Sequence, residues 1–225
     1  MVQTETNQGL WIPEDDMIPS SETPSRGHPV IVVPPVLRSD KNMVNMRDWI
    51  NNHEFRAFES GIEDSRTRDP KNDVLKIISK IDEVFEETRQ KITLVGFSLG
   101  GIYAFVAAMY RPEKIQRVVL VGTPIRRHVA DAAKGRYKEI AKAIINGNPS
   151  YNSFLSAIST TSMPFDYDLA CIYTRDDEAF HWEDCLDERA DIAVEVRGQH
   201  RKLYNNPKVF TAVTDILQAP IDRPL

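Results

Sequence analysis

Two cysteines in 225 residues, Cys171 and Cys185, are too few for a disulfide framework, and neither CxxC spacing nor a paired-histidine motif accompanies them. Stapled secreted scaffolds and structural zinc are argued against, and both thiols are expected to be reduced and structural. No apolar run approaches the roughly 18–20 residues needed to span a bilayer. The first residues have neither a basic start nor an apolar h-region, so the sequence reads as an unexported, cytoplasmic protein with no transmembrane segment. A basic excess is also missing: 28 Lys and Arg stand against 33 Asp and Glu. The broad positive face that nucleic-acid binding requires is therefore not expected. No internal repeat is visible, and no metal or cofactor is expected.

What is present is ordinary globular composition, 41% apolar and 27% charged, enough for one sizeable domain with a real core. The net charge of −5 comes entirely from residues 1–25, where Glu5, Glu14, Asp15, Asp16 and Glu22 meet no Lys or Arg. With Pro13, Pro19 and Pro24 among them, residues 1–26 read as an acidic, flexible extension, and residues 27–225 as the folded domain.

From His28 onward, short β-branched runs alternate with longer amphipathic ones, which predicts an α/β fold on a mostly parallel sheet. VIVV (30–33), ITLVGF (92–97), VVLVG (118–122), LACIYT (169–174) and IAVEV (192–196) read as buried strands, and FRAFES (55–60) as a weaker one. Residues 72–90 place Val74, Leu75, Ile77, Ile78, Ile81, Val84 and Phe85 on one helical stripe. Helices are also predicted through 43–50, directly after Ser98, and over 208–217. Between the strands at 118 and 169 the rhythm breaks. This connection, about 125–166, contains helix-like pieces near 129–146 and 152–158 and is read as a cap inserted over the sheet edge.

The pattern G-x-S-x-G occurs as Gly96-Phe97-Ser98-Leu99-Gly100, between a predicted buried strand and a predicted helix. A tight turn there would set the Ser98 hydroxyl clear of the backbone, with glycines removing side chains that would collide. A serine attacks well only when a base takes its proton and a third group orients that base. Of the five histidines, His28 and His53 precede the serine, His128 opens the cap and His181 sits among acids. His200 follows the last strand, ahead of the closing helix, and is the candidate base. The acid should follow LACIYT, where Asp176, Asp177 and Glu178 stand together; spacing alone leaves Asp176 and Asp177 open.

Together these residues resemble the α/β-hydrolase superfamily, in particular small bacterial serine hydrolases with a terse sheet and a short helical cap. The resemblance runs from about His28 to Leu217. GFSLGG resembles the family's nucleophile elbow, YTRDDEAFHW its acid loop and EVRGQH its histidine loop. In relatives the acid is followed by one residue and then two apolar ones, which implies Asp177 through D-E-A-F. The resemblance also implies an oxyanion hole made by the backbone N–H of Leu99 and of Val36. Three departures stand out: Pro35 where relatives carry glycine, Gln199 where they tend to carry serine, and Arg201-Lys202 after the histidine.

The implied activity is that of an esterase or lipase-like hydrolase, cleaving a small or lipid-like acyl ester through Ser98, His200 and Asp177. A serine nucleophile argues against dehalogenase and epoxide-hydrolase chemistry, which relatives perform with aspartate. Thioester cleavage or acyl transfer on the same triad is the nearby alternative. Cap residues Arg126, Arg127, Lys134, Arg136, Lys138 and Lys142 outnumber Asp131 and Glu139, a surplus suited to an anionic partner group or to a solvated face. From another class comes a catalytically idle hydrolase fold used for binding.

Overall fold

The continuous apolar runs become strands because they are packed on both faces. A computed structural model describes residues 10–11, 27–63, 69–146 and 167–220. In chain order its strands are β1 (Leu10–Trp11), β2 (Pro29–Val33), β3 (Arg56–Glu59), β4 (Ile92–Phe97), β5 (Ile115–Val121), β6 (Asp168–Tyr173) and β7 (Ile192–Glu195). The helices are α1 (Val44–Asn52), α2 (Pro70–Thr88), α3 (Leu99–Tyr110), α4 (Val129–Ala132), α5 (Gly135–Asn146) and α6 (Pro207–Gln218). One sheet runs in the order β1-β7-β6-β5-β4-β2-β3 with every neighbouring pair parallel.

Alternate residues of the central strands feed two cores. Ile31, Val33, Leu94, Val118 and Leu120 join the core under α2 and α3, while Val30, Val32, Val95, Phe97 and Val119 join that under α1 and α6. Helix α2 starts at Pro70, two residues ahead of the expected 72, because Asp69 accepts from the Lys71 and Asn72 amides and Pro70 sits in the first turn. Its buried stripe is Val74, Ile77, Ile81 and Val84. Leu75, expected on that stripe, is instead 54% exposed, one position off the packed face.

The chain moves outward from β2 to β3, then returns past β2 to β4 and proceeds to β5. Strands β2 and β4 are therefore neighbours whose connections diverge, and their carboxyl ends border a crevice of the kind in which α/β sheets bind ligands. Of the expected extension at 1–26, Leu10–Trp11 form an edge strand against β7. Of the expected cap at about 125–166, residues up to Asn146 are described, and the expected piece at 152–158 lies outside the described residues. The helix expected over 129–146 is two helices. At the break Ala133 bridges Phe180 and the Lys134 amide donates to the Ala179 carbonyl at 2.7 Å, pulling the backbone out of helical register.

The amino ends of the strands hold a buried polar cluster. Arg117 of β5 is 2% exposed; its Nη2 pairs with Asp168 of β6 at 2.9 Å, and its guanidinium also donates to the Ile216, Ala219 and Pro220 carbonyls at the end of α6. Nearby, His28 bonds Thr93 Oγ1 at 2.9 Å. Burial, and then the Arg117 charge, pull the His28 pKa down to about 4. The folded state thus binds fewer protons than the unfolded chain between about pH 4 and 6.5, and stability falls as pH drops through that window. Asp73, raised by burial to about 6, acts with the opposite sign, so a variant comparison isolates the histidine. Between pH 7 and pH 5 the intact protein should lose about 2 kcal/mol more unfolding free energy than His28→Gln, read by urea denaturation. Equal losses would show that His28 is not held neutral.

Candidate active site

Ser98 is the N-cap of α3 and adopts φ 52°, ψ −128°, a sparsely populated conformation for a side-chain-bearing residue. Its N–H donates to the Val121 carbonyl of β5 at 2.8 Å, and its C=O accepts from the Gly101 amide at 2.9 Å. The turn closes only around small neighbours. A Cβ on Gly96 would lie 2.5 Å from Gly101 Cα, and one on Gly100 would lie 2.0 Å from the Pro34 oxygen. The second contact also holds the loop after β2 against the serine turn.

In that loop the Arg38 amide donates to the Pro35 carbonyl at 3.0 Å, closing a turn in which Leu37 carries φ 65°. The left-handed residue is therefore Leu37, two positions beyond the proline. Pro35 occupies a place where its fixed φ is tolerated, and strain of about 1–2 kcal/mol is carried by Leu37 instead. The turn's hydrogen bond does not use the Val36 amide. Leu99, first residue of α3, likewise has an N–H with no intrahelical acceptor. Val36 and Leu99 line the same cavity as Ser98 and His200.

His200 opens a short 3₁₀ helix, His200–Asn205, after β7. Its Nε2 lies 2.9 Å from Ser98 Oγ and its Nδ1 2.8 Å from Asp177 Oδ2. Asp177 is 3% exposed, and its other oxygen accepts from the Ala179 and Phe180 amides, both at 2.8 Å. A carboxylate so placed can only accept, which puts the imidazole proton on Nδ1 and leaves the Nε2 lone pair facing the Ser98 hydroxyl. Phe180 stands edge-on to the imidazole, with centroids 4.9 Å apart. Asp176 sits outside this chain; it is exposed, with Arg197 at 3.9 Å. His28 is buried at the opposite sheet end, His53 bonds the Trp49 carbonyl of α1, His128 caps α4 and His181 is exposed.

Glu178, a residue that spacing did not single out, braces the histidine from behind. Its carboxylate accepts from the His200 amide at 2.7 Å, from the Arg201 amide at 3.3 Å and from Tyr137 Oη of α5 at 3.4 Å. It thereby satisfies two amides of the first turn of the 3₁₀ helix, which have no acceptor within the helix. Its one sequence signal was adjacency to Asp177. The cap's basic surplus is partly used inside the protein: Arg127 makes a two-point pair with Asp184 at 2.6 Å, and Lys134 Nζ donates to the Asp177 carbonyl.

Ser98 and His200 open onto a cavity of about 340 Å³ whose wall is mostly apolar, including Phe97, Leu99, Val129, Ile140, Phe180 and Leu203. Both cysteines are free and buried away from it, and burial pushes the Cys171 thiol up to about 12. Among the described residues no cluster of His, Cys, Asp or Glu is arranged to hold a metal ion, and no helix is long and apolar enough to cross a membrane.

A family model for the alpha/beta hydrolase fold matches residues 86–161. No curated protein sequence matches the chain. The mature lipase BlEst2 of Bacillus licheniformis is similar over 89% of this chain and 96% of its own, at 15% identity and TM-score 0.68. The monoacylglycerol lipase of Paleococcus ferrophilus is similar over 87% and 95%, at 18% identity and TM-score 0.64. Mouse alpha/beta hydrolase domain-containing protein 10 is similar over 88% and 91%, at 18% identity and TM-score 0.57. At such identities the structural likeness speaks for the fold, and with the family match over residues 86–161 it shows that the chain has the α/β-hydrolase fold.

Proposed function

We propose that the protein is a serine hydrolase that cleaves a carboxylic ester through an acyl-enzyme. The observation that carries this reading is the unbroken hydrogen-bonded chain from Asp177 through His200 to Ser98 at the edge of an apolar cavity. Ser98 Oγ attacks the ester carbonyl while His200 Nε2 takes its proton, and the carbonyl oxygen becomes an oxyanion facing the Leu99 and Val36 amides. His200 returns the proton to the departing alkoxide, which leaves as the alcohol. Water, deprotonated by the same nitrogen, then releases the acid and restores the serine. Asp177 keeps the imidazole in the tautomer that can accept and stabilises its transient positive charge. The apolar wall suits an acyl chain, and lipase or esterase activity in the names of structural neighbours is in keeping with that.

Thioester cleavage uses the same steps with a thiolate leaving group. The cap charges that favoured an anionic carrier are reduced by the Arg127–Asp184 ion pair, and Lys134 is tied to the Asp177 carbonyl, so the ester reading leads. The test is treatment with a fluorophosphonate probe together with p-nitrophenyl esters and acyl thioesters of increasing chain length. Stoichiometric labelling on the peptide bearing Ser98, with ester turnover exceeding thioester turnover, is expected. No labelling of the intact protein would overturn the reading and favour the idle, binding-only alternative.

A further inference from the structure

Two arginines stand at the mouth of the cavity, one from each loop that builds the site. Arg38 follows the turn after β2, and Arg201 follows His200; both line the cavity and both are exposed. Each is held by a neutral partner. The Arg38 guanidinium lies over the Tyr204 ring, 5.6 Å from its centroid. Arg201 donates from Nε and Nη2 to Gln199 Oε1 at 3.3 and 3.2 Å. A ring face and an amide oxygen fix a guanidinium in place without neutralising it.

Nearby carboxylates are occupied elsewhere. Asp177 holds the His200 ring, and Glu178 accepts from the His200 and Arg201 backbone amides and from Tyr137 rather than from the Arg201 guanidinium. Among the described residues, neither Arg38 nor Arg201 has an ion-pair partner. Three other exposed arginines are paired: Arg127 with Asp184, Arg175 with Glu195 and Arg56 with Glu87. The uncompensated charge therefore sits where an apolar cavity opens, beside the hydroxyl that would attack.

We propose that Arg38 and Arg201 recognise an anionic group on the substrate, so that the preferred ester carries a carboxylate or phosphate at its solvent end and an apolar portion within the cavity. The guanidinium fork matches both anions, and the charge assists orientation of the ester as well as its capture. The two sources differ in position: a carboxylate would terminate the acyl chain, whereas a phosphate would sit on the alcohol. For the catalytic arm this inference rests on Ser98 being the nucleophile.

The experiment compares matched pairs: p-nitrophenyl octanoate with mono-p-nitrophenyl suberate, and lauroylglycerol with lauroylglycerol phosphate. In one pair the intact enzyme should favour the anionic member in kcat/KM by about tenfold or more, chiefly through KM, with the preference shrinking as salt rises. Arg38→Gln/Arg201→Gln should remove most of that ratio, and Arg38→Lys/Arg201→Lys should retain part of it. Equal kcat/KM within both pairs, or a ratio unchanged in the glutamine variant, would overturn the proposal. A parallel arm needs no catalysis: calorimetric binding of suberate and of glycerol phosphate, against octanediol and glycerol, to intact and variant protein. Preference for an anion that disappears in the glutamine variant supports the proposal even if ester turnover fails, and its absence counts against it even if turnover succeeds. Unchanged thermal midpoints serve as the folding control.

Discussion

Asp177→Asn should lower kcat on a p-nitrophenyl ester by about 10⁴-fold while leaving the fold intact. Oδ1 accepts from the Ala179 and Phe180 amides, and these donors will hold the asparagine oxygen in the same place. The asparagine NH₂ must then face His200 Nδ1, where Oδ2 stood at 2.8 Å. A donor there forces Nδ1 to accept and moves the imidazole proton to Nε2, the atom 2.9 Å from Ser98 Oγ. A protonated Nε2 cannot take the serine proton. Asp176→Asn should leave kcat close to that of the intact enzyme, because Asp176 is exposed and has its nearest cation, Arg197, at 3.9 Å. Steady-state rates for the two variants, with thermal midpoints as the folding check, decide the matter. A larger loss in Asp176→Asn would mean that the acid has been assigned one residue too far along.

The largest effect on stability is expected at the opposite end of the sheet. Arg117→Ala should cost about 3–5 kcal/mol in urea denaturation, because it strands the buried Asp168 carboxylate and frees carbonyls at the end of α6. Arg117→Met combined with Asp168→Leu should recover most of that loss, since replacing both members of a buried pair by apolar groups is far milder than removing one. The chemistry at Ser98 should survive in whatever fraction stays folded, as the cluster lies at the amino ends of the strands. A single Arg117→Ala loss below about 1 kcal/mol would show that the pair is solvated rather than desolvated.

The elements that sequence reasoning placed well are those governed by local rules. Buried parallel strands announce themselves as continuous β-branched runs, and the glycines around Ser98 mark contacts that no Cβ survives. The fold brings Ser98 and His200, picked out by motif and chain order, together with Asp177, the acid that the family resemblance implied where spacing left Asp176 open. Features set by tertiary contacts were less visible. The break at Ala133 and Lys134 depends on backbone pairing with Phe180 and Ala179, far away in sequence, although Gly135 just beyond it was a local signal. Pro35 drew attention as the departure in the loop after β2, yet the unusual conformation falls on Leu37, because the turn begins at the proline rather than spanning it. Arg117 lies just ahead of the strand expected at 118–122, and its depth follows from α6 closing over it. In the sequence Glu178 stands only as the third of three adjacent acids. Its role depends on β7 delivering the His200 amide within 2.7 Å.

That last contact has a bearing on how the protein can be re-engineered. Asp177 and Glu178 are consecutive, and between them they hold both the ring and the main chain of His200. The segments around 174–180 and 198–205 consequently behave as a single exchangeable cassette. A histidine loop transplanted alone from a relative would bring its imidazole but find a brace cut to another backbone. Grafted together, the two segments would carry their own alignment with them, and the rest of the scaffold would need to supply the serine, the amides facing it and the α5 contacts that Tyr137 and Lys134 make.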